Sequence, residues 1–287
     1  MSVDYMADLN EQQQLAVTTI DGPLLVLSGA GTGKTKVLTS RIAHILYSGA
    51  AYPWQILALT FTNKAANEMR KRVSDLTDNM AYDVRVSTFH SFCLYLLSCE
   101  AKNFGIDPNF LIYDMGEQVN GIKECIKELN LDDKKFKPTW VANRISRAKD
   151  DLDTPKDMSD DCQAKGDFYG KTVSVIYELY QKKLKTYNAF DFGDLIMQTV
   201  LNLQEHPEIL SKYQDKFQYI LVDEYQDTNH AQYVLTKMLA EKYKNICVVG
   251  DDDQSIYSWR GADITNILDF EKALEIKEQL KKLKSLL

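Results

Sequence analysis

The sequence predicts an α/β chain in which a parallel sheet is flanked by helices and interrupted by an all-helical insertion. Three observations carry that prediction. Five short runs, Pro23 to Leu27, Ile56 to Phe61, Val84 to Ser87, Tyr219 to Val222 and Ile246 to Val249, are mostly rich in Val, Ile and Leu without polar alternation. Such runs suit strands covered on both faces. Helical patterns lie between them: VLTSRIAHILYSG stops at Gly49, and AANEMRKRVSDL is amphipathic. This alternation predicts a doubly wound sheet. From about Phe104 to Asn188 no buried strand stands out, and the stretches VNGIKECIKELN, KPTWVANRISRAKDDL and YGKTVSVIYELYQKKLKTYN have helical periodicity. Asn130 closes the first of these, and Pro138 suits the first turn of the second.

Composition sets the outer limits. The chain has 287 residues, which at roughly 150 residues per domain predicts about two domains. Hydrophobic residues are 45 % and charged residues 26 %, values of a globular chain rather than a disordered one. No apolar run reaches the ~18–20 residues of a membrane helix. The N-terminus MSVDYMADLN is acidic without an apolar stretch, which predicts no secretory signal. Cys93, Cys99, Cys125, Cys162 and Cys247 form no C-x-x-C pair, which disfavours a disulfide framework or zinc site and fits a reducing cytoplasm. The net charge of −7 argues against a polycation that coats nucleic acid, but leaves room for a local basic groove.

The chemistry begins after the first strand. SGAGTGKT, from Ser28 to Thr35, stands between a strand and a helix, the setting a phosphate-binding loop requires. Gly29, Gly31 and Gly33 let backbone amides close around phosphate oxygens, with Ala30 and Thr32 between them. The following helix points its positive end at the anion. Lys34 is placed to reach β- and γ-phosphates, and Thr35 to offer a hydroxyl to Mg²⁺. Ser28 stands where the strict pattern has glycine. A second carboxylate site is YILVDEYQD, an apolar strand ending in Asp223 and Glu224. Asp223 suits Mg²⁺, and Glu224 suits a general base for the attacking water. These two sites lie 223 − 34 = 189 residues apart, which puts the helical insertion between two halves of one nucleotide-binding domain.

These residues resemble the superfamily 1 DNA helicases of the UvrD/PcrA/Rep group, over roughly Leu9 to Lys272. LNEQQQLAV resembles the family's Q motif, which implies that Gln13 reads the adenine edge. LALTFTNKAANEM and VSTFHSF are similar to motifs Ia and Ib, which implies that Phe61, Thr62, Asn63, Thr88 and His90 face single-stranded DNA. Phe61 offers a stacking face and the short polar residues offer hydrogen bonds to phosphate. On the residues alone Phe61 suits a core equally well, and His90 suits a structural cap. VVGDDDQSIYSWRGA corresponds to motif III: the likeness places Gln254 near the γ-phosphate and makes Tyr257, Trp259 and Arg260 a stacking surface for bases. The acidic run Asp251 to Asp253 is left as a solvated turn or an ion site. FDFGDLI resembles the family's FDFDDLL, with Gly193 replacing an acid, and is read as a turn returning the chain to the main domain.

The resemblance implies a RecA-like P-loop NTPase fold over residues 1–104 and 189–270, with an accessory helical subdomain over 105–188. It implies ATP and Mg²⁺ as cofactors, single-stranded and duplex DNA as partners, and ATP-driven 3′-to-5′ movement in repair or replication restart. The last stretch, ALEIKEQLKKLKSLL, departs from the family's pattern. Ile276, Leu280, Leu283 and Leu287 fall on one helical face, which predicts an amphipathic helix within 271–287, as a terminal helix, a frame-shifted or engineered end, or a partner-binding helix, its most ordinary role being to pack on the domain or cap an exposed edge. The family also uses a second RecA-like domain that contributes arginines to the γ-phosphate. The expectation is that this chain alone hydrolyses ATP slowly and does not unwind DNA. The alternative function is a non-motor ATP- and DNA-binding module that regulates a partner.

Overall fold

The structure, a computed structural model, describes residues 4–29, 31–251 and 281–284. In chain order the elements are α1 (Glu11–Thr18), β1 (Leu24–Leu27), α2 (Lys34–Tyr47), β2 (Ile56–Thr60), α3 (Asn63–Leu76), β3 (Arg85–Thr88), α4 (Phe89–Glu100), β4 (Leu111–Tyr113), α5 (Met115–Glu128), α6 (Pro138–Asp150), α7 (Pro155–Lys165) and α8 (Phe168–Thr186). They continue with β5 (Ala189–Asp191), α9 (Phe192–Glu205), α10 (Pro207–Lys216), β6 (Tyr219–Val222), α11 (His230–Ala240), β7 (Asn245–Gly250) and β8 (Lys281–Lys284). The chain divides into two compact units, 1–92 with 206–287, and 93–205.

The first unit is α/β. Its sheet has the order β3-β2-β6-β7-β1-β8, and every pairing is parallel. The register aligns Leu24 with Cys247, Ala58 with Leu221 and Leu57 with Arg85. All five expected strands are present, and β2 and β6 are buried at every position. Burial on both faces is why these strands read as unbroken apolar runs rather than alternating ones. The core joins Leu24 and Val26 of β1 to Val37, Leu38 and Ile42 of α2, and to Ala58, Leu221 and Val249. In a parallel sheet all the strands end at one edge, and ligands gather there. Here that edge carries the loops after β1, β2, β3, β6 and β7.

The second unit is mainly helical, around Ile122, Ile126, Val141, Ile145, Val173, Ile176 and Tyr177. Pro138 opens α6 in its first turn, and Asn130 takes the left-handed conformation just beyond α5. The expectation of an all-helical insertion is corrected in one respect: β4 and β5 form a parallel pair with Leu111 beside Ala189 and Ile112 beside Phe190. Each strand is three residues long, and Leu111 and Ile112 are exposed, so no buried run marks them.

The two compact units divide at 92/93 and 205/206. FDFGDLI is not a turn but the junction of β5 and α9. Helix α9 buries Leu195, Ile196, Met197, Val200 and Leu203, and Asp191 and Asp194 reach Lys149 of α6. The helix expected within 271–287 is corrected where the structure describes it. Lys281–Lys284 is a strand paired in parallel with β1, with Leu24 aligned to Lys281. An edge strand's open backbone groups favour an added strand, which outweighs the helical periodicity there.

Candidate functional site

The loop after β1 is held by its own backbone and by two side chains. Gly31 and Gly33 have φ of 75° and 89°, the left-handed region that disfavours side chains. Gly33 is doubly constrained, since a Cβ there would lie 3.2 Å from Gln13 Nε2. The Ser28 N–H donates to the Gly250 carbonyl at 3.0 Å, tying the loop to the end of β7. The Thr32 hydroxyl sits 2.9 Å from Ser28 Oγ and 2.8 Å from the Gly29 carbonyl. Serine at position 28 thus supplies a brace that glycine lacks. Gln13 lies in the first turn of α1, where Asn10 forms a capping box with it. Its Nε2 donates to the Thr32 carbonyl at 2.9 Å and its Oε1 accepts from the Asn10 N–H at 3.0 Å.

Lys34 is the first residue of α2 and only 8 % exposed. Its ammonium lies 3.2 Å from Asp251 Oδ2, and 3.2 and 3.4 Å from the Ser28 and Gly29 carbonyls. Thr35 donates its hydroxyl to Asp223 Oδ2 at 3.2 Å. Burial first, and then the charge of Glu224, pushes the Asp223 carboxyl up to about 6. Glu224 adopts a left-handed backbone, φ 51°, and its N–H donates to Asp223 Oδ1 at 3.1 Å. Its Oε2 accepts from Gln226 Nε2 at 2.8 Å, and Gln226 Oε1 accepts from the Asp251 N–H at 3.0 Å. Three strand ends therefore converge: a cation and a hydroxyl after β1, two carboxylates after β6, and a third carboxylate after β7. A carboxylate and a hydroxyl oxygen side by side are hard donors of the kind Mg²⁺ takes, leaving its other positions to phosphate and water.

This arrangement is matched in sequence by the UvrD/REP helicase N-terminal domain, whose family model covers residues 9–275. The chain belongs to that family. ATP-dependent DNA helicase PcrA of Bacillus subtilis strain 168 is 52 % identical over 272 residues, which is 95 % of this chain and 36 % of that protein. The proteins of the same name in Staphylococcus aureus strain Mu50 and Staphylococcus epidermidis are each 50 % identical over 92 % of this chain and 36 % of their own length. The chain thus spans about a third of the length of these relatives.

In the frame of the UvrD/REP family, the residues expected at DNA occupy the ends of β2 and β3, on the far side of β6 and β7 from the phosphate loop. Phe61 is half-buried, with its ring 5.5 Å from that of Phe89. Thr62 and Asn63 are exposed, and the Thr62 hydroxyl accepts the Ala65 N–H at 3.1 Å as the N-cap of α3. Thr88 is buried and its hydroxyl donates to Ser91 Oγ at 2.9 Å. Burial pushes the His90 imidazole down to about 4, so it is neutral at pH 7. Ala30, Gln254, Tyr257, Trp259 and Arg260 lie outside the described residues. Two polar residues of the site were not assigned from sequence. Asp251 is signalled by its place just past β7 on the shared edge, and Gln226 by standing two residues after Glu224 in DEYQD.

Proposed function

We propose that this chain is the ATP-binding and hydrolysing motor segment of a DNA translocase that moves 3′-to-5′ on single strands. The observation that carries the reading is the convergence of Lys34, Thr35, Asp223 and Glu224 on one sheet edge. Lys34 binds phosphate oxygens, with backbone amides of Gly29 to Gly33 completing the cradle. Gln13, beside the loop, is proposed to meet the adenine edge. Thr35 and Asp223 would hold Mg²⁺, which when bound would neutralise charge on the phosphates. Glu224 orients the attacking water and takes its proton.

On the DNA side, Phe61, Thr62, Asn63, Thr88 and His90 are proposed to line the path of a single strand, together with Tyr257, Trp259 and Arg260. Stacking on such aromatics contributes ~1–3 kcal/mol per base without regard to sequence. Gln254 is proposed to relate nucleotide state to that surface. Arginines from a second RecA-like domain are worth ~10³–10⁵ in rate for this class of chemistry. The 287-residue chain alone is therefore proposed to turn over slowly and to leave duplex intact. A cytoplasmic location and a role in repair or replication belong to the same proposal.

Glu224→Gln is the direct test. It is expected to keep binding Mg-ATP within about twofold while single-turnover hydrolysis falls ~10²–10⁴-fold, the usual weight of a general base. Unchanged hydrolysis in that variant removes Glu224 from the chemistry.

A further inference from the structure

Gln226 is 2 % exposed, and both ends of its amide are engaged. Nε2 donates to Glu224 Oε2 at 2.8 Å, and Oε1 accepts from the Asp251 N–H at 3.0 Å. The two partners are of opposite kind, so rotating the amide by half a turn would set donor against donor and acceptor against carboxylate. One orientation is therefore enforced. Asp251 in turn places its carboxylate, 1 % exposed, against Lys34. A continuous polar path thus runs Glu224, Gln226, Asp251, Lys34, crossing from the end of β6 to the end of β7 and on to the phosphate loop.

We propose that Gln226 is a positioning residue: it aims the Glu224 carboxylate and makes that aim depend on which partner Lys34 holds. The inference rests on the reading of Glu224 as general base and of Lys34 as phosphate ligand. Lys34 is held by Asp251 and by two carbonyls at 3.2 and 3.4 Å, contacts at the long end of the hydrogen-bond range. A triphosphate offers Lys34 stronger, charge-assisted acceptors. Asp251 then loses its cation, and its backbone N–H is the group that fixes Gln226. Arrival of phosphate is in this way transmitted through one amide to the carboxylate that must face the water. A displacement of about 1 Å in such a group costs up to ~10²-fold in rate.

The test uses the full chain labelled with ¹⁵N-glutamine. The Gln226 side-chain amide signal is identified by its loss in Gln226→Met. The expected result is slow exchange with water, a shift in Glu224→Gln, and a shift when Mg²⁺ and a non-hydrolysable ATP analogue are added. A signal exchanging like that of an exposed glutamine, or unmoved in Glu224→Gln, overturns the positioning role. A signal that responds to Glu224→Gln but not to an analogue shown by titration to bind overturns the coupling. If the wild-type chain binds no analogue, the nucleotide reading itself fails and the positioning role falls with it, while the Glu224→Gln comparison still decides whether Gln226 holds the Glu224 carboxylate. The kinetic arm is a double-variant cycle. Gln226→Met is expected to lower hydrolysis by about 10- to 100-fold with KM within about twofold. Combined with Glu224→Gln it is expected to add no further loss. Losses that multiply would mean that Gln226 does not act through Glu224.

Discussion

Each unit of this chain buries a lysine against aspartate, and the two are held in opposite ways. Lys34, in the α/β unit, has one carboxylate at 3.2 Å and two long carbonyl contacts, and opens α2 just past a glycine-rich loop. Lys149, in the helical unit, is enclosed: Asp191 lies at 2.7 Å, Asp194 at 2.8 Å, and the rings of Tyr177 and Tyr180 at 5.6 and 5.4 Å. Gln118 and Gln181 donate to the same two carboxylates, each at 2.9 Å. Asp191 and Asp194 also accept each other's backbone N–H at the start of α9. Even a Cβ on Gly193 would come within 3.0 Å of the Lys149 side chain. Burial is common to the two lysines and density of partners separates them: Lys149 is over-determined, while Lys34, the proposed phosphate ligand, is loosely satisfied.

The sharpest way to break this contrast is Lys149→Met. It leaves two buried carboxylates without their cation, a change that costs ~3–5 kcal/mol. Hydrogen exchange in peptides from α6 and α9 should accelerate by several orders of magnitude; protection at the wild-type level would make Lys149 dispensable. Next is Lys34→Ala. Losing a charge-assisted contact to phosphate of ~1.5–3 kcal/mol predicts a ~10- to 100-fold loss of Mg-ATP affinity by titration. Its loss of stability should be smaller than that of Lys149→Met, since one carboxylate rather than two is stranded. Equal destabilisation would erase the distinction.

The third prediction concerns pH. Burial, and then the Asp191 charge, push the Asp194 carboxyl up to about 6, above the unfolded value near ~3.9. Between those values the folded unit holds a proton that the unfolded chain releases. Its stability should therefore fall as pH rises from about 4 to about 6, then level off. For Asp191, burial acts upward, but the Lys149 charge and hydrogen bond outweigh it, so the net direction is down and its contribution is lost only in more acid solution. Urea unfolding followed at α9 should show the decline in wild type and a flat profile over that window in Asp194→Asn. A matching slope in the variant would assign the proton elsewhere. The smallest effect is expected at Thr62, whose hydroxyl is a cap rather than a buried partner. Thr62→Ala should cost about 1 kcal/mol of stability. Any weakening of single-stranded DNA binding beyond that seen with other destabilised variants would add a direct contact to its role.

Much of the α/β unit was legible because its signals are contiguous. Five apolar runs gave five strands, and SGAGTGKT and DEYQD each hold their proposed chemistry within a few residues. The misreadings share a cause, which is dependence on distant partners. FDFGDLI looked like a turn because Lys149, which makes Asp191 and Asp194 core residues, lies 42 residues before Asp191. The β4–β5 pair was invisible because strands of three residues, one of them largely exposed, are too short to leave a period to read. The helical face of ALEIKEQLKKLKSLL was present in the sequence, yet Lys281–Lys284 pairs with β1, because an open sheet edge competes with local periodicity.

The sequence by itself determined the five apolar strands of the first unit, and the glycine-rich loop and acid pair proposed for phosphate and Mg²⁺, since backbone conformation and short-range spacing dictate them. Only the tertiary structure decided that Asp251 faces Lys34, that the Gln226 amide meets Glu224, and that Asp191 and Asp194 enclose a second buried lysine. Those choices depend on strand order. Placing β6 and β7 between β2 and β1 brings Glu224, Gln226, Asp251 and Lys34 within hydrogen-bonding reach, and no local pattern encodes that order.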